Sequence, residues 1–180
     1  FEGGPGTSQS ARKPAGRTQA VLDEHAVQPG DELGFDAAIN YKTEKVGRSI
    51  KDSCPDGIDI YFDNTGGDVL EAALFRMNRG GRVVCCGVVS QYDTNDPSPG
   101  PRGEPALIVT TRQPMEGFIV KDFLDRRDVA TKALQSWVDS GQVVVREEIL
   151  VGLVRAPAGL VGLLRGDNIG KRIIRVADVS

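Results

Sequence analysis

Two short polar segments each close an apolar run. Asp63-Asn64-Thr65-Gly66 follows Ile58-Asp59-Ile60-Tyr61-Phe62, and Ser90-Gln91-Tyr92 follows Val83-Val84-Cys85-Cys86-Gly87-Val88-Val89. A phenol or amide at a strand tip can hydrogen-bond the oxygens of a polar ligand. Other chemistries lack their parts. The chain has one histidine, His25, and no C-x-x-C pair, whereas a zinc site draws three or four ligands mainly from Cys and His. His25 sits in a polar, proline-flanked stretch and reads as a solvated bystander. Cys85 and Cys86 lie inside an apolar run and read as small core residues, because burial raises a thiol pKa. The Gly3-Gly4-Pro5-Gly6-Thr7 cluster has no strand before it and no apolar helix after it, so it is not read as a phosphate loop.

The runs that carry the two tips form a strand, a helix and a second strand. Ile58–Phe62 is rich in β-branched and aromatic residues. Val69, Leu70, Ala73, Leu74 and Met77 then recur at helical spacing, and Asn78-Arg79-Gly80-Gly81 is expected to stop that helix at a glycine cap. Val83–Val89 reads as a strand buried on both faces. This is a βαβ unit with a right-handed crossover, and ligands of such sheets bind beyond the carboxyl ends of the strands.

Around this centre the pattern predicts a short strand over 35–41 with Tyr41 at its tip, and a helix over 44–53 with Val46 and Ile50 on one face. The long, proline-rich stretch 93–104 is expected to be a functional or mobile loop, and 107–111 is either a strand or a helix start. A buried strand follows over 115–120, then a helix over 122–140 with Leu124, Val129, Ala133, Leu134 and Trp137 inward. Gly141 caps it. A strand over 143–150 comes next, then a helix opened by Ala156-Pro157 with Leu160, Val161, Leu163 and Leu164 as its apolar face. Gly166 ends that helix, and 171–176 is a closing strand. Residues 1–30, rich in Gly, Pro, Ser, Arg and Gln, bury too little apolar surface to order, apart from a helical turn around 18–25.

With 180 residues, 39% apolar and 26% charged, the composition is that of a soluble globular protein. A net charge of -3 offers no general basic surface for nucleic acid. No apolar run approaches the roughly 20 residues that span a bilayer, and no signal-peptide core opens the chain. The three cysteines give no disulfide framework. A cytoplasmic protein is expected.

The segments YFDNTGG, CGVVSQY, MEGFIV and GLLRGDNIGK, in this order and spacing, resemble the zinc-independent branch of the medium-chain dehydrogenase/reductases. Within it the resemblance is to the prostaglandin reductase, leukotriene 12-hydroxydehydrogenase and alkenal double-bond reductase group. Any one of the four is weak; together they cover about Leu33 to Ala177. The resemblance implies an α/β fold: a partial Rossmann-type, doubly wound parallel sheet over 31–140, then a tail over 141–180 that belongs to a GroES-like catalytic domain. The catalytic domain itself and the glycine-rich turn that seats the pyrophosphate have no counterpart, and the segment Gly6 to Glu32 is longer than the family's connection. It also displaces the lysine that contacts the 2'-phosphate, for which Lys13 is a poor substitute.

Residue by residue, the resemblance implies that Tyr41 contacts the adenosine 2'-phosphate of NADP and that Asn64 contacts the nucleotide. Cys86, Gly87, Val88, Val89, Ser90 and Gln91 would line the nicotinamide ribose, Gly87 permitting close approach. Tyr92 would reach both that ribose and the substrate carbonyl, and is the one near-catalytic residue. The backbone of Phe118, Ile119 and Val120 would meet the carboxamide, and Asn168 would contact the cofactor from the tail. Each has a plain alternative: Tyr41 covers a sheet edge, Asn64 and Asn168 form turns, and 118–120 is core strand. The implied reaction is NADPH-dependent reduction of the C=C bond of an α,β-unsaturated ketone or aldehyde, without metal, nucleic acid or membrane. Family members are monomers or dimers, so a homodimer stays open. The other reading is a non-catalytic portion that binds nucleotide weakly or not at all.

Overall fold

The computed structural model describes residues 20–22, 35–92, 95 and 100–177, the first three as backbone only. The described elements run β1 (Ala20–Leu22), β2 (Ala37–Ile39), α1 (Val46–Ser53), β3 (Ile58–Asp63), α2 (Gly67–Leu74), β4 (Met77–Cys85), α3 (Ala106–Thr111), β5 (Met115–Gly117), α4 (Arg127–Asp139), β6 (Glu147–Val151), α5 (Ala156–Arg165) and β7 (Lys171–Arg175). Every strand pairs parallel, as a doubly wound α/β fold requires. The strands form three separate sheets, β1-β2, β3-β4-β5 and β6-β7. The helical turn expected around 18–25 is replaced at 20–22 by a strand in register with β2. The phosphate-loop reading at 3–7, Lys13, His25 and most of the 1–30 segment lie outside the described residues.

The core lies between α2 and one face of the β3-β4-β5 sheet. Val69, Leu70, Ala73 and Leu74 of α2 are buried against Tyr61, Met77 and Val83, with Ile58, Cys85, Leu107, Met115 and Tyr41 packed around them. Leu74 is almost completely enclosed, so cutting it to alanine would cost about 2–5 kcal/mol. The helix stops at Leu74, earlier than the glycines suggest, and Met77-Asn78-Arg79-Gly80-Gly81 is already strand. Gly80, at φ 77°, sits in a register shift: Ile58 pairs with Met77, but Ile60 pairs with Arg82. The glycines therefore serve a bulge, which needs the same left-handed backbone as a C-cap.

Several expected faces differ. The strand after Gly81 ends at Cys85, and only one face of its sheet is covered. Ile60 and Phe62 on the other face are exposed, and Phe118 and Phe123 continue that face as an aromatic row, with centroids 6.2 and 6.1 Å apart. The 115–120 strand is confined to Met115–Gly117, because Val120–Arg126 turns into a 3-10 helix ahead of α4. Residues 106–111 resolve as helix. Of the residues expected inward over 122–140, Leu124, Val129, Leu134 and Trp137 are exposed.

In the last unit, residues 143–146 are irregular and β6 begins at Glu147. Pro lies in the first turn of α5 and Gly166, at φ 72°, ends it, as expected. The helix faces its sheet with Gly159 and Gly162 rather than with its leucines. The reason is Arg172, which lies beneath it. Its Nε and Nη2 hold Glu148 Oε2 at 2.9 and 2.8 Å, and Nη1 donates to the Gly159 carbonyl at 3.1 Å. A Cβ at Gly162 would overlap that Nη1.

Candidate active site

The two polar tips are one structure. Asp63 ends β3 with its carbonyl accepting the amides of Cys86 (2.7 Å) and Gly87 (3.4 Å). The Asn64 carbonyl accepts from Val89 at 3.0 Å, and that of Thr65 from Ser90 at 3.1 Å. The chain leaving β4 is thereby laid along the turn leaving β3. Gly87 is needed here: a Cβ would meet Asn64 Oδ1 at 2.5 Å. Gly66 and Gly67, at φ 70° and 56°, make the turn into α2, and Ser90 Oγ lies against both.

On this pad Asn64, Ser90 and Tyr92 are exposed, while Gln91 and Val88 are half-buried. Tyr92 is 65% exposed, its backbone held by the Val89 carbonyl in a 3-10 turn over Val89–Gln91. Cys86 is exposed as well, contrary to its reading as a core residue, because the strand has already ended. Cys85 is half-buried, and its thiol is pushed up by burial, then by the charges of Asp63 and Glu104. Phe118 belongs to the same end of the sheet, its amide donating to the Cys85 carbonyl at 3.2 Å. That amide is thus engaged by the sheet, while Ile119 and Val120 follow it, exposed. Tyr41 follows β2 in a turn and packs its ring on the core.

Asn168 is not brought to the pad by a shared sheet; it precedes β7 in the β6-β7 unit. Its amide donates to the Gly170 carbonyl at 2.8 Å. Its neighbours Asp167 and Ile169 line an open cleft of about 650 Å³ with the 144–148 segment. Lys42 Nζ links this unit to the earlier part, donating to the Arg165 carbonyl at 2.9 Å.

Sequence reasoning passed over Asp63. It is buried at 2% exposure, and its Oδ1 accepts from Tyr61 Oη (3.0 Å), the Thr65 amide (3.3 Å) and the Gly66 amide (3.0 Å). The signal was available: Tyr61 and Asp63 are two apart on one strand and so share its inner face. Burial, and then the adjoining Asp63 carboxylate, push the Tyr61 phenol well above its ordinary value. Turns of this kind can cradle anions with their amides. Here an internal carboxylate already takes two of those amides, those of Thr65 and Gly66. Among the described residues no group of His, Cys, Asp and Glu could hold a metal ion, and no helix is long and apolar enough to cross a membrane.

A parallel βαβ sheet with a polar pad beyond the ends of adjacent strands defines a class of α/β protein that binds its ligands at those strand ends. Residues 18–136 match the family model of the zinc-binding dehydrogenases. The chain belongs to that family, and within the medium-chain dehydrogenase/reductases its similarity runs to the zinc-independent prostaglandin reductase group. It is 40% identical over 164 residues to a putative NADP-dependent oxidoreductase, YfmJ, of Bacillus subtilis, covering 89% of this chain and 48% of the relative. It is 40% identical to prostaglandin reductase 1 of Rattus norvegicus over 80% of this chain and 44% of that one. The crystal structure of CurA from Vibrio vulnificus in complex with NADPH superposes with a TM-score of 0.74 at 33% identity, covering 81% of this chain and 44% of CurA. The chain spans less than half the length of these relatives.

Proposed function

We propose that the pad is the nicotinamide-facing part of an NADP(H) site, in an oxidoreductase that reduces the C=C bond of α,β-unsaturated ketones or aldehydes. The observation that supports this best is the joining of the 63–67 turn to the 86–92 segment. It sets the Asn64 amide, the Ser90 hydroxyl and the Val88 side chain close together at the strand ends. That donor set fits a nicotinamide riboside, which offers hydroxyls and a flat apolar ring. The bound cofactor would supply a hydride. Asn64 and Ser90 would hold the nucleotide, Val88 and Val89 would shield the ring from water, and Tyr41 would meet the 2'-phosphate from the end of β2. The Tyr92 hydroxyl would donate to the substrate carbonyl, stabilising the charge that develops on that oxygen. The domain limits of 31–140 and 141–180 are part of the same proposal, with Asn168 reaching the cofactor from the second.

A second reading, in which this polypeptide is a non-catalytic portion that binds nucleotide weakly or not at all, is favoured by the exposed apolar residues Ile60 and Phe62. Fluorescence titration of NADPH into the 180-residue chain separates the two. Saturable binding that prefers NADPH over NADH and weakens in Tyr41→Phe supports the first, and should be followed by an enone-reduction assay. Absence of binding leaves the second.

A further inference from the structure

We infer that Asp63 is a positioning residue for this site: its buried carboxylate, anchored by the Tyr61 hydroxyl, sets the 64–67 turn and through it the 86–92 segment. The inference rests on the nucleotide reading only for what the pad binds, not for how the pad is held. The Asp63 carboxylate is acceptor-only when ionised, and all three groups gathered on Oδ1 are donors. Two of them are the backbone amides of Thr65 and Gly66. Fixing those amides fixes the direction of the Asn64 and Thr65 carbonyls, which are the acceptors for Val89 and Ser90. The amides of Cys86 and Gly87 come to the carbonyl of Asp63 itself. One residue therefore organises the turn through its side chain and the facing segment through its backbone.

Tyr61 does not reach the pad. Its ring is part of the core and only its hydroxyl bears on Asp63. The chain thus ties a surface feature to the packing of β3 on α2. No residue of the pad could fill this role from outside, because the carboxylate is enclosed.

The test combines amide hydrogen exchange without nucleotide and NADPH titration on the same variants. In Asp63→Ala the acceptor shared by the Tyr61 hydroxyl and the Thr65 and Gly66 amides is removed. Exchange at Val89 and Ser90 should quicken tenfold or more while Val83, inside β4, keeps its protection. NADPH binding should weaken by a similar factor, with the emission of the bound nucleotide shifted toward that of the free form. Unchanged exchange at Val89 and Ser90 overturns the proposal. If protection collapses at Val83 as well, Tyr61→Phe decides, since it removes one hydroxyl and nothing else. A rise confined to 65–66 and 86–90 then supports the proposal, and no rise overturns it. Quickened local exchange in a chain that never bound NADPH would uphold the positioning role and sink the nucleotide reading, so the two can fail separately.

Discussion

Gly162→Ala is the substitution in which the structure and helix propensity disagree most plainly. In the interior of α5, alanine is favoured over glycine by about 1 kcal/mol. The new Cβ would, however, overlap Arg172 Nη1 and lie 3.5 Å from Cζ. Arg172 cannot simply swing away: its side chain is 9% exposed, and Nε and Nη2 are held by Glu148. The bond that must yield is Nη1 to the Gly159 carbonyl, and a hydrogen bond involving a charged donor is worth about 1.5–3 kcal/mol. The net expectation is a loss of about 0.5–2 kcal/mol, a roughly two- to thirtyfold rise in local opening at 1.4 kcal/mol per decade. Hydrogen exchange at Ile173 and Ile174 of β7 would read it, with Val83 as internal control. In an Arg172→Met background the same substitution should turn neutral or stabilising, since the obstacle is gone. Gly159→Ala, whose Cβ would meet the tips of Leu150 and Ile174 at 3.1 and 3.2 Å and Arg172 Cδ at an ordinary 3.8 Å, should be milder. Exchange that is unchanged or slower in Gly162→Ala alone would refute the reasoning and leave propensity in control.

Other expectations follow from the groups around the pad and its flanking loop. Because the Tyr61 phenol holds its proton more tightly folded than unfolded, stability should be flat below about pH 10 and fall above it, where the unfolded chain ionises first. Tyr61→Phe should remove that component from an alkaline denaturation series. Alkylation followed by mass mapping at pH 8 should label exposed Cys86 before Cys54 and Cys85, whose thiols are pushed up chiefly by burial; equal rates would contradict the assigned burial. Arg102 is clamped to Glu71 through its backbone amide, Nε and Nη2. Glu71→Gln should therefore speed tryptic cleavage after Arg102 while leaving the unfolding midpoint nearly unchanged, and a large midpoint shift would show that this exposed pair carries more than a loop.

The sequence exposed the parts of the fold governed by local periodicity. Val69, Leu70, Ala73 and Leu74 mark α2 because their spacing and their burial agree. Pro157 and Gly166 bracket α5 for reasons of backbone geometry alone. What was not legible depends on a partner. Gly80 accepts positive φ equally in a cap and in a bulge, and only the pairing of Ile60 with Arg82 distinguishes them. The apolar stripe of α4 shows which face avoids water, not whether anything covers it. The leucines of α5 outweigh its glycines on any hydrophobic scale, yet a buried guanidinium needs the room that only glycine leaves. At the site, the residues taken from the family resemblance fall on the pad at 64 and 86–92, while Asn168 lies in the loop before β7, beside another sheet. Asp63 was hidden because it reads equally well as the first residue of a turn.

Lys42 follows Tyr41 directly, and its ammonium group donates to the Arg165 carbonyl at the negative end of α5. If Tyr41 does meet the extra phosphate of NADP, the nearest cation in sequence is one that is also tied to the tail. Selectivity between the two nicotinamide cofactors would then be a property of how the tail is seated, transmitted through one lysine, rather than of a fixed local charge. The ratio of NADPH to NADH affinity in Lys42→Met would register it: the ratio should move although no residue of the pad has changed, and a constant ratio would break the link.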